Sequence, residues 1–156
     1  MASVKLTEII EKMKLDNLTP EIDISKTKIT QPDINRPALQ MAGYFEHYEA
    51  TRLQMIGYVE YTYMLSLEPK RQAEIYEKLL SYPIPAIIFC RELMPDEKFL
   101  AKAKEKGVKI SALSSFYINH TPELEHRFIG IHSRLAAFIE FEGPEADIGF
   151  FKNIRR

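Results

Sequence analysis

Three histidines near the carboxyl terminus are the residues whose type would suit a metal ion. His120, His126 and His132 follow one another at intervals of six residues. On a helix this interval turns successive side chains about 120° apart, whereas paired ligands on one helix need a spacing of three or four residues. The spacing therefore predicts no metal site from these histidines.

No motif in the chain would bind a nucleotide phosphate or activate a nucleophile. A phosphate-binding loop reads G-x-x-x-x-G-K-[ST], and Gly107-Val108-Lys109 has neither a glycine five residues earlier nor a hydroxyl after the lysine. His47 is expected in a solvated loop, and Cys90 ends an apolar run in which a buried structural thiol is expected. We find no Ser-His-Asp order, no H-E-x-x-H and no glycine-rich dinucleotide loop. The sequence offers no enzyme signature.

A β-α-β unit between residues 86 and 110 would position any site. The apolar run at residues 86–90 has strand length, residues 95–97 open a helix that Gly107 ends, and residues 108–110 are expected to form the next strand. A strand that is apolar throughout is buried on both faces, and its crossover joins parallel neighbours. The sequence therefore predicts an α/β fold with a small, mostly parallel sheet between helices, in three Rossmann-like layers.

The carboxyl ends of these strands are where an open α/β sheet binds ligands. Arg91 follows the first strand of the unit, and a serine-rich turn with Ser111 and Ser114 follows the second. We therefore expect Arg91, Ser111 and Ser114 to be candidate residues for a small-molecule sensor site. Sugar phosphates, inorganic phosphate and nucleotides are the ligands to test.

Apolar periodicity predicts three further helices. The first is capped by Ser3, the second begins at Pro69, and the third is a long amphipathic helix over residues 122–142. Their apolar stripes are Leu6, Ile9, Ile10 and Met13; Ala73, Tyr76, Leu79 and Leu80; and Leu124, Phe128, Ile131, Leu135 and Phe138. Residues 17–35 are expected to hold brief strands at Ile22, Ile24 and residues 28–30. Rising β-branched and aromatic content between residues 52 and 63 predicts a buried strand that ends at Gly57.

The charge composition argues against nucleic acid and anionic membranes as partners of this chain. The 156 residues include 21 Lys and Arg against 22 Asp and Glu, so the chain has no net charge that would draw it to nucleic acid or to an anionic membrane. No apolar run reaches 18 residues, and the amino-terminal residues mix charged with apolar side chains. We expect a cytoplasmic protein, with an α/β domain over residues 1–115 and a helical tail over residues 116–156.

Two segments resemble the amino-terminal domain of the HPr kinase/phosphorylase family. Residues 33–45, Asp33-Ile34-Asn35-Arg36-Pro37-Ala38-Leu39-Gln40-Met41-Ala42-Gly43-Tyr44-Phe45, are similar to its D-I-[NS]-R-P-[GA]-L-x-x-x-G-Y-[FL] segment. Residues 85–91, Pro85-Ala86-Ile87-Ile88-Phe89-Cys90-Arg91, resemble its P-[AC]-[IL]-[IV]-x-[ST]-R strand. The resemblance runs in order and spacing over about residues 1–110.

The signature residues Asp33, Arg36, Pro37 and Gly43 favour packing roles over ligand binding. Asp33 can cap the turn that Pro37 begins, and Arg36 can bridge to a carboxylate. Gly43 allows a close backbone approach or a positive φ.

The resemblance implies a regulatory and oligomerisation domain of an enzyme of carbon catabolite repression in the sugar phosphotransferase system. That family uses ATP or pyrophosphate to phosphorylate a serine of HPr, and it also removes the phosphate. Self-association as a hexamer is implied, with HPr contacted only through the catalytic half. ATP and magnesium belong to that half, whose phosphate-binding loop, metal ligand and catalytic aspartate have no match here. No cofactor is therefore expected in this chain.

The resemblance ends sharply near Ile110. A truncated or interrupted gene, a frameshifted tail and a natural stand-alone variant would all produce this pattern. A stand-alone ligand-sensing or scaffold module is the alternative function, and an enzyme of unfamiliar chemistry is a third.

Overall fold

The computed structural model describes residues 3–90 and 92–113. The strands in this part of the chain are β1 (Val4–Lys5), β2 (Leu15–Asn17), β3 (Lys28–Ile29), β4 (Ile34–Asn35), β5 (Leu53–Ile56), β6 (Ile87–Phe89) and β7 (Ile110–Leu113). The helices are α1 (Leu6–Met13), α2 (Ala38–Met41), α3 (Tyr58–Ser66), α4 (Pro69–Leu80) and α5 (Glu97–Lys106). None of these helices has the length and apolar character needed to span a bilayer.

Five strands form one sheet in the order β2-β7-β6-β5-β4. The strands β4 to β7 are parallel to one another, and β2 pairs antiparallel with β7 at one edge. The predicted α/β class with a mostly parallel sheet is confirmed. The parallel strands follow chain order across the sheet, so the described sheet contains no reversal of strand order, which is where doubly wound folds open a crevice.

The sheet separates two hydrophobic cores. Met55 and Ile88 face a core shared with α1 and with the small antiparallel pair of β1 and β3. Ile56 and Phe89 face the opposite core, which contains the buried side chains of α2, α3, α4 and α5. This division follows the alternation of side chains along each strand. Four helices thus cover one face of the sheet, and α1 with the two-stranded pair covers the other.

Helix α5 has well-formed ends, and its carboxyl end corrects one predicted boundary. The Asp96 carboxylate accepts a hydrogen bond from the Phe99 N–H at 2.7 Å, which caps the first turn. Gly107 has φ +73°, and the Val108 N–H donates to the Ala103 carbonyl at 2.8 Å. Because Val108 completes this helix end, β7 begins at Ile110 and not at residue 108 as predicted.

The amino terminus differs from the prediction in its cap but not in its buried face. Val4 pairs with Ile29 in the small sheet, so α1 begins at Leu6 and its N-cap is Lys5, not Ser3. Leu6 and two further predicted positions, Ile9 and Met13, are buried.

Three other expectations need correction. Ile22 and Ile24 lie outside the strands, although β3 forms as predicted. In α4 the exposed Ala73 is not part of the buried stripe, and Ile75 takes that place. The buried strand before Gly57 forms as β5, but the aromatic residues after it form helix α3, which was not predicted.

The β2 edge ties the beginning of the domain to its last described strand. Leu15 lies opposite Leu113, and Asn17 lies opposite Ser111. Beyond this pair, the Thr19 hydroxyl accepts a hydrogen bond from the Ile110 N–H at 3.1 Å, and Thr19 is fully buried. The sheet is therefore complete only when residues near both ends of the domain are in place.

Several predictions fall outside the described residues. They are the helix over residues 122–142, the histidines at 120, 126 and 132, the boundary near residue 115, Arg91 and Ser114.

Candidate functional site at the carboxyl edge of the sheet

The carboxyl ends of the parallel strands place Arg36 and Gly57 at the same edge of the sheet. Arg36 follows β4 directly, and Gly57 follows β5. Residues Asn35 and Gln54 pair in register between these two strands. Open α/β sheets bind ligands at the carboxyl ends of their strands. At the ends of β4 and β5, that edge is formed by residues of the signature segment and by the start of α3.

A two-point ion pair joins these elements. Arg36 Nε lies 2.8 Å from Glu60 Oε1, and Arg36 Nη2 donates to Glu60 Oε2 at 2.9 Å. The Glu60 side chain is 3% exposed, whereas that of Arg36 is 48% exposed. Two parallel bonds between guanidinium and carboxylate fix both the distance and the orientation of the partners. Arg36 thus binds a carboxylate, which sequence analysis expected in kind, without identifying Glu60.

Glu60 also holds the first turn of α3. Its Oε2 accepts a hydrogen bond from the Gly57 N–H at 2.9 Å. A glutamate three residues after the N-cap that bonds back to the N-cap N–H makes one half of a capping box, and glycine has no side chain to make the other half; the negative charge also suits the amino end of the helix. The spacing from Gly57 to Glu60 was the sequence signal that could have revealed this contact.

Gly57 leaves room for the ion pair, and its φ is one that any residue can adopt. A Cβ atom at this position would lie 2.8 Å from Arg36 Nη2 and 3.3 Å from Glu60 Oε2. A side chain here would require the Arg36 guanidinium to shift from its present position against Glu60.

A buried amide fixes β4 against β5 beneath this ion pair. Gln54 is fully buried, and its Nε2 donates to the carbonyl oxygens of Glu49 at 3.0 Å and Arg52 at 2.8 Å. Its Oε1 accepts a hydrogen bond from Asn35 Nδ2 at 2.6 Å. A buried amide with these partners is held in one orientation. The edge is thus a rigid, hydrogen-bonded structure.

The remaining signature residues contribute to the backbone around α2. Pro37 is buried and is the N-cap residue of α2, while Asp33 is exposed and makes no capping hydrogen bond that the described residues show. Gly43 has φ +96°, and an added Cβ would collide with the Arg71 guanidinium. A residue with a side chain would be strained at this φ, so the glycine is needed at this turn.

The predicted strand-end ligand residues are not brought together in the described structure. Ser111 lies within β7, opposite Ile88 and Asn17, and is 2% exposed. The expectation that it begins a loop is therefore wrong, because β7 continues to Leu113. Arg91 and Ser114 lie outside the described residues, and a ligand role for the three residues stays a prediction.

A groove of about 420 Å³ lies between α4 and α5. Its lining is Pro69, Gln72, Ala73, Glu74, Tyr76, Glu77, Lys98 and Lys102. Beneath it, the Tyr76 hydroxyl donates to Asp96 Oδ2 at 2.6 Å. Burial, together with this bond to a carboxylate, raises the pKa of Tyr76. Tyr76 is therefore a neutral phenol that joins the two helices.

A second neutral phenol lies in an aromatic cluster beside α4. Tyr48 makes edge contacts with Phe45 and Tyr82, at centroid distances of 5.9 and 5.0 Å. Its hydroxyl is buried and has no hydrogen-bond partner among the residues that the structure describes, and burial raises the pKa of Tyr48. Within residues 3–90 and 92–113, no group of three His, Cys, Asp or Glu side chains could hold a metal ion.

Comparison with known proteins agrees with the signature segment. The family described as "HPr Serine kinase N terminus" matches residues 4–120. An HPr kinase/phosphorylase of Lachnoclostridium phytofermentans is 48% identical over 110 residues, which cover 70% of this chain and 36% of that protein. HPr kinase/phosphorylases of Streptococcus equinus and Streptococcus pneumoniae are 35% and 36% identical, over 69% and 74% of this chain and 35% and 36% of theirs.

Among solved structures, the CBS and DRTGG domains of the regulatory region of a Clostridium perfringens pyrophosphatase are similar with a TM-score of 0.44 and 13% identity. That match covers 74% of this chain and 44% of the other. The chain spans about a third of the length of the curated relatives it matches. The signature segment and the family match over residues 4–120 agree. The chain belongs to the HPr serine kinase N-terminus family.

Proposed function

We propose that this chain acts as the regulatory and assembly domain of an HPr kinase/phosphorylase in the cytoplasm. In this proposal the phosphorylation and dephosphorylation of a serine of HPr, with ATP and magnesium, belong to a separate catalytic half. The chain contributes self-association and the positioning of that half. HPr is contacted by the catalytic half and not by this domain.

The observation that carries the proposal is the extent of the family match. Residues 4–120 include every strand of the five-stranded sheet and the ion pair at its edge. The part of the relatives that this chain matches is about a third of their length, and the 156 residues contain no G-x-x-x-x-G-K-[ST] sequence. A domain without a phosphate-binding loop lacks the backbone amides and lysine that hold the terminal phosphates.

The geometry of the carboxyl edge supports a structural role. Both oxygens of Glu60 are engaged, by Arg36 and by the Gly57 N–H. A general base needs a carboxylate that can reach a substrate proton. This carboxylate instead holds β4, β5 and α3 together. A structural carboxylate of this kind suits a domain that positions a catalytic half and does not itself catalyse a reaction.

A chimera tests the proposal directly. The matched region of the Lachnoclostridium phytofermentans relative is replaced by this chain, and phosphoserine formation on HPr is measured with its dependence on ATP. We expect the chimera to assemble and respond like the parent enzyme, because the replaced region is 48% identical. The catalytic half alone is the control, and it should differ from the parent in assembly or regulation.

Two outcomes contradict the proposal. A chimera that behaves in every respect like the catalytic half alone would show that this domain contributes nothing to assembly or regulation. Phosphoserine on HPr after incubation with ATP and this chain alone would show that it is itself a kinase.

A further inference from the structure

The outer face of α3 is apolar where a surface helix is expected to be polar. We define this face as Tyr58, Val59, Thr62, Tyr63, Leu65 and Ser66. Four of its side chains are large and exposed: Tyr58 by 58%, Val59 by 64%, Tyr63 by 42% and Leu65 by 51%. The inner side of α3 is already packed against the sheet through Met64. A helix that is apolar on all sides is normally covered on all sides.

The aliphatic hydroxyls of this face, those of Thr62 and Ser66, already have hydrogen-bond partners within the helix. The Thr62 hydroxyl donates to the Tyr58 carbonyl at 2.8 Å, and the Ser66 hydroxyl donates to the Tyr63 carbonyl at 2.6 Å. Removing water from the face would therefore leave neither hydroxyl unpaired, which is the usual cost of burying polar groups. Tyrosine suits such a surface because its ring is apolar and its hydroxyl can reach the rim.

The charge of α3 is also directed away from this face. Glu60 is the one charged residue between Tyr58 and Ser66, and it is buried against Arg36. The outer face consequently presents no charge by which a charged partner would be selected. Contiguous apolar surfaces of this kind mark interaction sites, and tyrosine is enriched at interfaces.

The ends of the face favour a second copy of the same chain as its partner. Arg36, half-exposed, lies at the amino end of α3, and Glu68, exposed, lies just after its carboxyl end. In an antiparallel two-fold pair, Arg36 of each copy would lie beside Glu68 of the other, and the helix dipoles would oppose one another. The uncharged centre meets itself without repulsion.

We propose that two copies of this chain associate through the outer faces of α3, antiparallel, with Thr62 at the two-fold axis. The inference rests on the proposed assembly function and identifies its surface. A standard interface takes about 800 Å² from each partner, and a helix of nine residues is only about 13 Å long. Leu39 of the neighbouring α2, 62% exposed, would extend the contact. We expect a dissociation constant on the order of micromolar, as for modest interfaces.

The test uses charge at the axis, measured by sedimentation on the whole chain. Thr62→Glu and Thr62→Lys should each raise the dissociation constant at least tenfold, because like charges would meet at the axis. An equal mixture of the two variants should restore association to within a fewfold of the wild type. Glu and Lys are better helix formers than Thr, so α3 should stay folded in both variants. Circular dichroism checks this.

Thr30→Glu is the matched control. Thr30 is an exposed threonine after β3, on the opposite face of the sheet, and its substitution should leave the dissociation constant unchanged. A wild-type chain that stays monomeric at several hundred micromolar overturns the inference and leaves the face to a different molecule or another part of the chain. Association that Thr62→Glu does not weaken also overturns it, while leaving the chimera experiment, and so the proposed function, unaffected.

Discussion

Two neighbouring surfaces on the same side of the sheet differ sharply in chemistry. The outer face of α3 is uncharged, whereas the face formed by α4 and α5 carries a network of ion pairs. In that network Glu77 accepts hydrogen bonds from Lys102 at 2.9 Å and from Lys106 at 2.5 Å. Both regions pack inward on the same hydrophobic core. The inner sides of both regions are therefore apolar, whereas their outer sides differ in charge.

The comparison shows where charge contributes to structure in this domain. Exposed ion pairs such as those of α4 and α5 add little stability, because water screens them, but they keep the surface solvated. On α3 the one carboxylate is taken inside and fixed by Arg36. Charge on the α4–α5 surface keeps that surface solvated, whereas the buried charge of Glu60 orients helix α3.

The largest expected effects on stability test whether the buried sides of α5 and α3 contribute equally to the hydrophobic core. Phe99 of α5 is fully buried against Tyr76 and Phe89, with centroid distances of 5.0 and 5.4 Å. Phe99→Ala should lower the free energy of unfolding by about 3–5 kcal/mol, and Met64→Ala on α3 by about 2–5 kcal/mol, through lost burial and a cavity. Urea unfolding at low protein concentration measures both.

Tyr63→Ala is the control on the outer face of α3, and it should cost less than about 1 kcal/mol in the monomer. If it costs as much as Met64→Ala, the two sides of α3 do not differ as described.

A smaller effect distinguishes the two kinds of ion pair. Glu60→Gln removes the charge that a buried carboxylate presents to Arg36, and should cost about 1–3 kcal/mol. Glu74→Gln makes the same substitution in the pair with Arg71, whose side chains are 53% and 50% exposed, and should cost less than about 0.5 kcal/mol. Thermal and urea unfolding compare the two variants. Equal losses would mean that burial of Glu60 adds nothing.

The smallest effect concerns the pH dependence of the α4–α5 surface. The ammonium groups of Lys106 and Lys102 lower the pKa of Glu77 from 4.5 to about 2. A carboxyl whose pKa is lower in the folded state adds stability above its unfolded pKa, and loses it as the pH falls from about 4.5 towards 2. Because Glu77 is at the surface, the change should be small.

Carbon-detected NMR titration of the Glu77 carboxyl checks this shift, and high salt should move the pKa back towards its ordinary value. The variant Glu77→Gln should flatten the acid side of the stability profile slightly. A midpoint near 4.5 at low salt would show that the lysines do not hold this carboxylate.

Apolar periodicity in the sequence predicted helices α4 and α5, which have charged outer sides, but did not predict helix α3, whose outer side is apolar. Helices α4 and α5 have clear starts, at Pro69 and Asp96, and polar outer sides that expose their period. Helix α3 follows a buried strand with Tyr58, Val59 and Thr62, residue types that favour strands. With apolar residues on every side, α3 has no polar face to reveal a helical period. Packing against the sheet, with Glu60 at the third position, decides its conformation.

The candidate site was predictable in its residue types but not in its contacts. The signature segment indicated that Arg36 can bridge to a carboxylate and that Gly43 allows a close backbone approach or a positive φ, and the structure shows the ion pair and the positive φ. The partner Glu60 lies 24 residues away, and only the parallel pairing of β4 with β5 brings it near. Ser111 was misplaced because antiparallel pairing with β2 extends β7, and a serine-rich sequence does not disclose such a neighbour.

The pairing of β2 with β7 has a consequence for synthesis of the protein. The Thr19 hydroxyl and the Ile110 N–H that bonds to it are 91 residues apart in the chain. Contacts between such distant residues slow folding, because a long loop must close before they form. On the ribosome β2 has no partner strand in the five-stranded sheet until β7 has emerged, so we expect this edge of the domain to form late. We therefore expect chaperones that bind exposed apolar segments to meet this domain before β7 pairs with β2.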